Sequence, residues 1–274
     1  MIHLISYADN NFILAAKLLM SEARALNIFD RIHCYTPREI KRFLSDKWIS
    51  QYTRGGGYWI WKPYIALQEL EKMHDGDILI YVDAGCSLIK SKTWGRYLEI
   101  LKKSDAIFMH FNTAINYGWT PTVRCWTKKL AIDYFALSDS QMGWLDKPQF
   151  ITGCFLLRKC SATLNFIKRW SDFMCQHQEL VIDAMGDELN KQDPFFCEHR
   201  HDQAILSLLL YTLKDNYNFL FLPEEIEWHY NSDDSKRAII AARRNNKWVQ
   251  ANKKLFLRKL VKNRLISIKN RACR

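Results

Sequence analysis

Asp77-Ile-Leu-Ile-Tyr-Val-Asp83-Ala-Gly85-Cys86 is the stretch that decides the fold. Ile78 to Val82 is a short apolar run of β-forming residues between Gly76 and Gly85, and it reads as a strand buried on both faces. Such a strand delivers Asp83 to its carboxyl end, where open α/β sheets place their ligand crevice. A carboxylate there meets an anionic ligand comfortably only through a bridging cation or a ligand hydroxyl, because two bare negative charges repel in a low-dielectric cleft. An Asp in this position can also simply start a turn or cap the next helix. Two further segments favour the ligand reading.

The flanking sequence alternates in period. Ile2 to Ser6 reads as a strand, Phe12 to Leu26 as an amphipathic helix and Arg31 to Tyr35 as a second strand. Thr36-Pro37-Arg38-Glu39 starts another helix as a capping box with Pro at its first position. Pro63 is expected to open a helix reaching about Met73. Ala106 to His110, Thr152 to Leu157 and Phe219 to Leu222 read as further strands, and Ser161 to Cys175 as a helix. Alternating strands and helices predict a Rossmann-like α/β/α sandwich with a mostly parallel central sheet.

Arg54-Gly-Gly-Gly57-Tyr58-Trp59-Ile60-Trp61-Lys62-Pro63 is the second segment. Its glycines permit a tight backbone or a close approach to a ligand, and Arg54 and Lys62 can neutralise phosphate. It is neither a Walker loop nor a Rossmann fingerprint. His199-Arg200-His201-Asp202-Gln203 is the third, placed just before the apolar helix expected from Ala204 to Leu213. Groups that accept a proton or hydrogen-bond a hydroxyl gather there at a helix's amino-terminal rim. Cys197 to His201 is too compressed for a usual structural zinc site.

Composition bounds the rest. With 274 residues and 48% hydrophobic content, the chain is long enough for one full core. Ten Trp and twelve Tyr suit a cleft that stacks on sugar or base faces. Eight Cys without paired spacing, no basic and apolar leader and no long apolar run predict a cytoplasmic protein with no membrane span. The net charge of +11 comes from one end: residues 236–274 hold fourteen Lys or Arg and no acid, whereas residues 1–235 hold 26 basic and 29 acidic residues. We therefore divide the chain into a body, 1–235, and a basic helical tail, 236–274. Val249, Phe256, Leu257, Leu260, Val261, Leu265 and Ile268 fall on one side of a helical wheel, opposite Arg258, Lys259, Lys262 and Lys269. That pattern fits an anionic membrane surface, with a helix packed on the body as the other reading. No nucleic-acid partner is expected, since the body shows no basic face or RNA-binding motif.

The three segments, together with Trp126-Thr-Lys-Lys129 to Phe135 and Gln149-Phe-Ile-Thr-Gly153, resemble in order the bacterial glycosyltransferases of capsular polysaccharide and lipopolysaccharide synthesis. The resemblance covers roughly residues 1 to 230. It implies a GT-A fold and transfer of a hexose, galactose-type favoured, from a nucleotide-diphosphate sugar, UDP-linked, to a saccharide acceptor at the inner face of the cytoplasmic membrane. It implies Asp202, Gln203 and Asp83 as catalytic residues, with donor contacts at Ser6, Arg54, Tyr58, Trp61, Lys62, Asp83 and Gly85. Gln149, Thr152, Gly153 and His201 are implied in the acceptor or sugar pocket. Asp83 takes the place of an Asp-x-Asp metal motif and implies a divalent cation, Mn2+ or Mg2+. The chain departs from that motif at Gly85, so either no metal is held there or another ligand is required, for which His229 is the candidate. Two rivals remain: a non-catalytic sugar-nucleotide or glycan binder with a degenerate site, and a tail-driven nucleic-acid binder.

Overall fold

The computed structural model describes residues 1–114, 117–137, 141–227 and 236–272. Its strands are β1 (Ile2–Tyr7), β2 (Arg31–Tyr35), β3 (Ile78–Val82), β4 (Ser87–Leu88), β5 (Ala106–His110), β6 (Cys154–Arg158), β7 (Phe219–Pro223) and β8 (Ile239–Ile240). The main helices are α1 (Ile13–Leu26), α2 (Pro37–Leu44), α3 (Trp61–Leu70), α4 (Thr93–Leu101), α5 (Lys129–Ala136), α6 (Ser161–Gln176), α7 (His201–Leu213), α8 (Asn246–Ala251) and α9 (Lys253–Ala272). At the start of α2, Glu39 reaches back to accept from the backbone N–H and the hydroxyl of Thr36.

Six strands form the central sheet in the order β2-β1-β3-β6-β5-β7. β1 runs parallel to β2 and β3, and β5 runs parallel to β7; β6 is antiparallel to both β3 and β5. The sheet is mostly parallel, as the alternating pattern predicts, with β6 as its reversed strand. Side chains divide by the period of two. Ile5, Leu79, Tyr81, Phe108, Phe155 and Leu157 enter the core layer that also holds residues of α3, α6 and α7. Leu4, Ile80, Val82, Ile107, Met109 and Leu156 enter the opposite layer, with residues of α1 and α4. Each such fully buried side chain contributes about 1.5–3 kcal/mol relative to exposure, and the result is an α/β/α sandwich.

Residue 236 does not mark a break in packing. β8 pairs antiparallel with β4, and the Arg244 N–H donates to the Gly85 carbonyl at 2.9 Å. Arg244 is buried, and its Nη1 meets Glu22 Oε1 at 2.9 Å; the same carboxylate accepts from Ser87 Oγ at 3.2 Å and from the Leu88 N–H at 3.0 Å. This buried pair ties α1, β4 and the chain beyond β8 into one unit. Removing one partner of a buried pair leaves the other charge stranded, at a cost of about 3–5 kcal/mol. Arg244→Met should therefore lower the unfolding free energy obtained from urea titration by an amount in that range, and a loss under about 1 kcal/mol would mean that water already reaches Glu22.

The terminal helix is not amphipathic in the sense expected. Phe256 packs with Leu18 and Val249, Leu260 lies against them, and Asn263 and Asn270 continue the inward row by bonding Ser21 Oγ and the Ala25 carbonyl. Leu257, Val261, Leu265 and Ile268 point outward and are all half-exposed or more. The apolar residues read as one face thus split between an inward row on α1 and an outward stripe. Among the described residues, no helix is long and apolar enough to cross a membrane.

Candidate active site

A cleft of about 570 Å³ opens at the carboxyl ends of β1 and β3, where Tyr7 and Asp83 line it. Its volume falls within the range of small-molecule sites. At its floor, the side chain of Lys62 is buried, with 2% of its surface exposed, and Nζ lies 3.3 Å from Asp83 Oδ1 and 3.1 Å from Asp202 Oδ2. The same ammonium donates to the Thr152 carbonyl at 3.1 Å and to Thr152 Oγ1 at 3.3 Å. Tyr81, two residues before Asp83, donates its hydroxyl to Asp83 Oδ1 at 2.6 Å. Burial alone would lower the Lys62 pKa, but Asp202 and Asp83 outweigh it and hold the ammonium above its ordinary value. Burial likewise pushes the Asp202 carboxyl above the usual range, against the pull of Lys62. Asp202 is sealed at the floor, whereas the Asp83 side chain is 43% exposed.

The glycine run explains how Lys62 gets there. Gly55, Gly56 and Gly57 have φ of 58°, 60° and 90°, and Tyr58 and Trp59 follow at 53° and 59°. Five consecutive residues in the left-handed region make one left-handed turn, closed by bonds from the Tyr58 N–H to the Arg54 carbonyl and from the Trp59 N–H to the Gly55 carbonyl. For residues with a Cβ this conformation costs about 1–2 kcal/mol each, which is why three of the five are glycine. A Cβ on Gly55 would come within 2.4 Å of the Trp59 ring. The turn reverses the chain into α3, which begins at Trp61 and places Lys62 in its first turn. Pro63 sits in that turn, where its missing N–H has no helical partner to lose.

The His-Arg-His-Asp-Gln segment forms the opposite wall. α7 begins at His201, three residues earlier than expected, and no side chain caps it; Asp202 serves the ion cluster instead. His201 has φ 46°, another strained position, and its ring stacks near Trp59 with centroids 5.5 Å apart. Burial lowers its pKa to about 4, and it depresses His199 as well, so both rings are neutral near pH 7. The Arg200 guanidinium lies 3.8 Å from the centroid of the Trp126 ring and 3.4 Å from Glu198.

Of the residues expected to contact a donor, Arg54, Trp61, Lys62, Asp83 and Gly85 line the cleft, as do Thr152, Gly153, His201, Asp202 and Gln203. Ser6, Tyr58 and Gln149 do not. Ser6 is fully buried within β1. Tyr58 donates to Asp183 Oδ2, and Arg54 bonds the other oxygen of the same carboxylate. Gln149 is buried behind Gln203, whose amide it accepts at 2.6 Å, so it positions a lining residue without touching the cleft. His229 lies outside the described residues. The sequence reading missed Tyr7, stacked on Trp61 with centroids 3.8 Å apart, and Arg243 and Asn245, which reach the cleft from the segment assigned to the tail.

The described residues do not by themselves complete a divalent-cation site. No three His, Cys, Asp or Glu side chains among them group as metal ligands. A Cβ at Gly85, where a second acid would begin, would meet the Arg244 carbonyl at 3.0 Å. Asp83 Oδ1 is already taken by Tyr81 and Lys62.

No protein-family model matches the chain, and no curated protein does so. Solved structures show distant likeness. A glycosyltransferase involved in glycosylation of the major capsid of PBCV-1 is 10% identical, with 87% of this chain and 91% of that one covered and a TM-score of 0.46. The galactosyltransferase LgtC, in complex with donor and acceptor sugar analogues, is 14% identical over 87% and 86%, with a TM-score of 0.40. The bifunctional IspDF of Campylobacter jejuni is 13% identical over 82% of this chain and 50% of that one, with a TM-score of 0.37. Likeness of this degree assigns neither a reaction nor a substrate.

Proposed function

We propose that this chain transfers a hexosyl group, galactose-type favoured, from a uridine-diphosphate sugar to a saccharide acceptor of bacterial surface-polysaccharide synthesis. The observation that carries the reading is the convergence of Asp83 and Asp202 on one buried ammonium at the floor of an aromatic-walled cleft. Tyr7, stacked on the buried Trp61, and Trp59 make an aromatic wall for a base or sugar ring, and Arg54, Arg200 and Arg243 offer positive charge to a diphosphate. Asp202, held by Lys62, either takes the proton of the acceptor hydroxyl or stabilises the oxocarbenium-like centre with Gln203 beside it. A screen of nucleotide sugars for nucleoside-diphosphate release and for a rise in melting temperature tests the reading. The expected result is turnover and stabilisation with a uridine-diphosphate hexose, since a ligand at about 100 times its Kd adds about 2.7 kcal/mol of stability. Stabilisation without turnover in the presence of acceptor glycans would favour a binding protein with a degenerate site.

We also propose that α9 holds the enzyme on the inner face of the cytoplasmic membrane, beside a lipid-linked acceptor. Leu257, Val261, Leu265 and Ile268 form its outward apolar stripe, and Arg258, Lys262 and Lys269 lie along one flank in the helical repeat. Each basic residue near an anionic surface contributes about 1 kcal/mol. Deleting the tail is a poor test, because Val249 and Phe256 belong to the body's packing. Changing Leu257, Val261, Leu265 and Ile268 to Ser in the full chain should abolish flotation with phosphatidylglycerol-containing vesicles while leaving the melting temperature in place. High salt should weaken the wild-type hold. Equal flotation of both forms would reject the membrane role.

A further inference from the structure

The four oxygens around Lys62 Nζ are two carboxylate oxygens, a backbone carbonyl and a hydroxyl, a donor set that also suits a hard cation. Their distances, 3.1 to 3.3 Å, are those of an ammonium; Mg2+ would need about 2.1 Å. A second cation in the same place would meet the like charge of Lys62. Around Gly85 the chain replaces the expected acid in another way. The missing Cβ leaves room for the backbone of Arg243 and Arg244 to pack against the Asp83 turn, with Arg243 C 3.8 Å from where that Cβ would stand. Arg244 turns inward to Glu22, whereas the Arg243 side chain is 72% exposed, is held by Glu227 Oε1 at 2.6 Å, and lines the cleft.

We propose that this centre works without a divalent cation, with Lys62 as its resident cation and Arg243 as the group that meets the donor's diphosphate. The inference rests on the transferase reading above. Lys62 Nζ stands between the Asp83 and Asp202 carboxylates, 3.3 Å from one and 3.1 Å from the other, and draws them together. Its three protons are shared among four protein oxygens, so it acts through the carboxylates it holds and does not contact phosphate. Arg243 supplies a fixed positive charge that a metal held by two acids would otherwise bring. Asp83 then faces a sugar or ribose hydroxyl, and the repulsion between a carboxylate and a diphosphate is avoided by keeping them apart.

The test is calorimetric binding of uridine diphosphate to the full chain, after exhaustive chelation and again with manganese added. Equal affinity in the two conditions is expected, together with a loss of at least about tenfold in Arg243→Gln, the scale of one charge-assisted contact. Affinity that rises tenfold or more with manganese would overturn the proposal and point to an ion completed by a residue such as His229. An unchanged affinity in Arg243→Gln would remove that residue from the diphosphate site. Failure to bind under both conditions would instead sink the transferase reading. Lys62→Ala provides a second arm: removing the ammonium leaves four oxygens around a void, so manganese should raise the melting temperature of this variant and not that of the wild type. A folded variant indifferent to manganese would show that Lys62 does not stand in a cation site. If the variant does not fold, the wild-type chelation comparison still decides.

Discussion

Asp202→Asn is expected to lower kcat by about a thousandfold, within the usual range for a positioned acid–base group, while changing affinity for uridine diphosphate by less than about threefold. The reason lies in its burial. Asp202 lines the cleft floor, nearly buried, with its charge matched by Lys62, so it adds little to ground-state attraction for an anionic donor. Its carboxylate gains its strongest interaction only as positive charge develops at the sugar carbon, or as the acceptor proton is released. The amide keeps the shape and loses both functions. A pH profile adds an independent check. Burial raises the Asp202 pKa, so activity that needs its ionised form should fall, as pH is lowered, at a pH above that of a solvated carboxylate. That limb should disappear from the residual activity of Asp202→Asn. If the variant loses donor affinity in proportion and turns over normally when saturated, Asp202 belongs to donor recognition.

Much of the scaffold was legible because it depends on local pattern. Ile78 to Val82 is apolar throughout and forms the central strand within the bounds read from it, and Asp83 follows at its carboxyl end. The reversed direction of β6 was not legible, because Cys154–Arg158 has the same composition as a parallel strand and only its partners define its sense. The glycine run announced unusual backbone, yet a left-handed turn is set by hydrogen bonds that close only when the whole segment folds.

The site was less legible than the sheet, since four separated segments supply its floor. Lys62 reads in sequence as a loop-edge residue able to neutralise phosphate; in the fold it is buried against residues 83, 152 and 202. Gln149 and Ser6 stand close in sequence to lining residues but point into the interior, a distinction that depends on strand facing and packing. Charge counting could not place Arg243 and Arg244. They fall in the basic tail, read as a helix on a membrane or packed on the body, but the notch at Gly85 gives this stretch a docking place, and the two neighbouring guanidinium groups go to opposite uses. Tyr81 was within reach: it lies on the same strand face as Asp83, two residues away, and that period was enough to couple them.

Asp83→Asn should act on a different kinetic constant. The Asp83 carboxylate is fixed on one side by Tyr81 and Lys62, and its other oxygen stands beside Gly153, where a Cβ would come within 3.5 Å of it. That leaves a carboxylate oxygen, on a side chain 43% exposed, as an acceptor for a hydroxyl of the donor. A hydrogen bond to a charged group contributes about 1.5–3 kcal/mol, so the substitution should cost about ten- to a hundredfold in kcat/KM. Because a ground-state hydroxyl already makes this contact, most of the loss should appear in KM for the donor, unlike the kcat loss at Asp202. Tyr81→Phe, which frees Asp83 to turn, should give a smaller loss of the same kind. Donors deoxygenated at single hydroxyls locate the contact. The analogue lacking the hydroxyl that Asp83 binds should react poorly with wild type and lose little further with Asp83→Asn, the non-additivity expected when two changes remove one interaction. Additive losses with every deoxy donor would place Asp83 outside donor recognition and return it to electrostatic support of Lys62 alone.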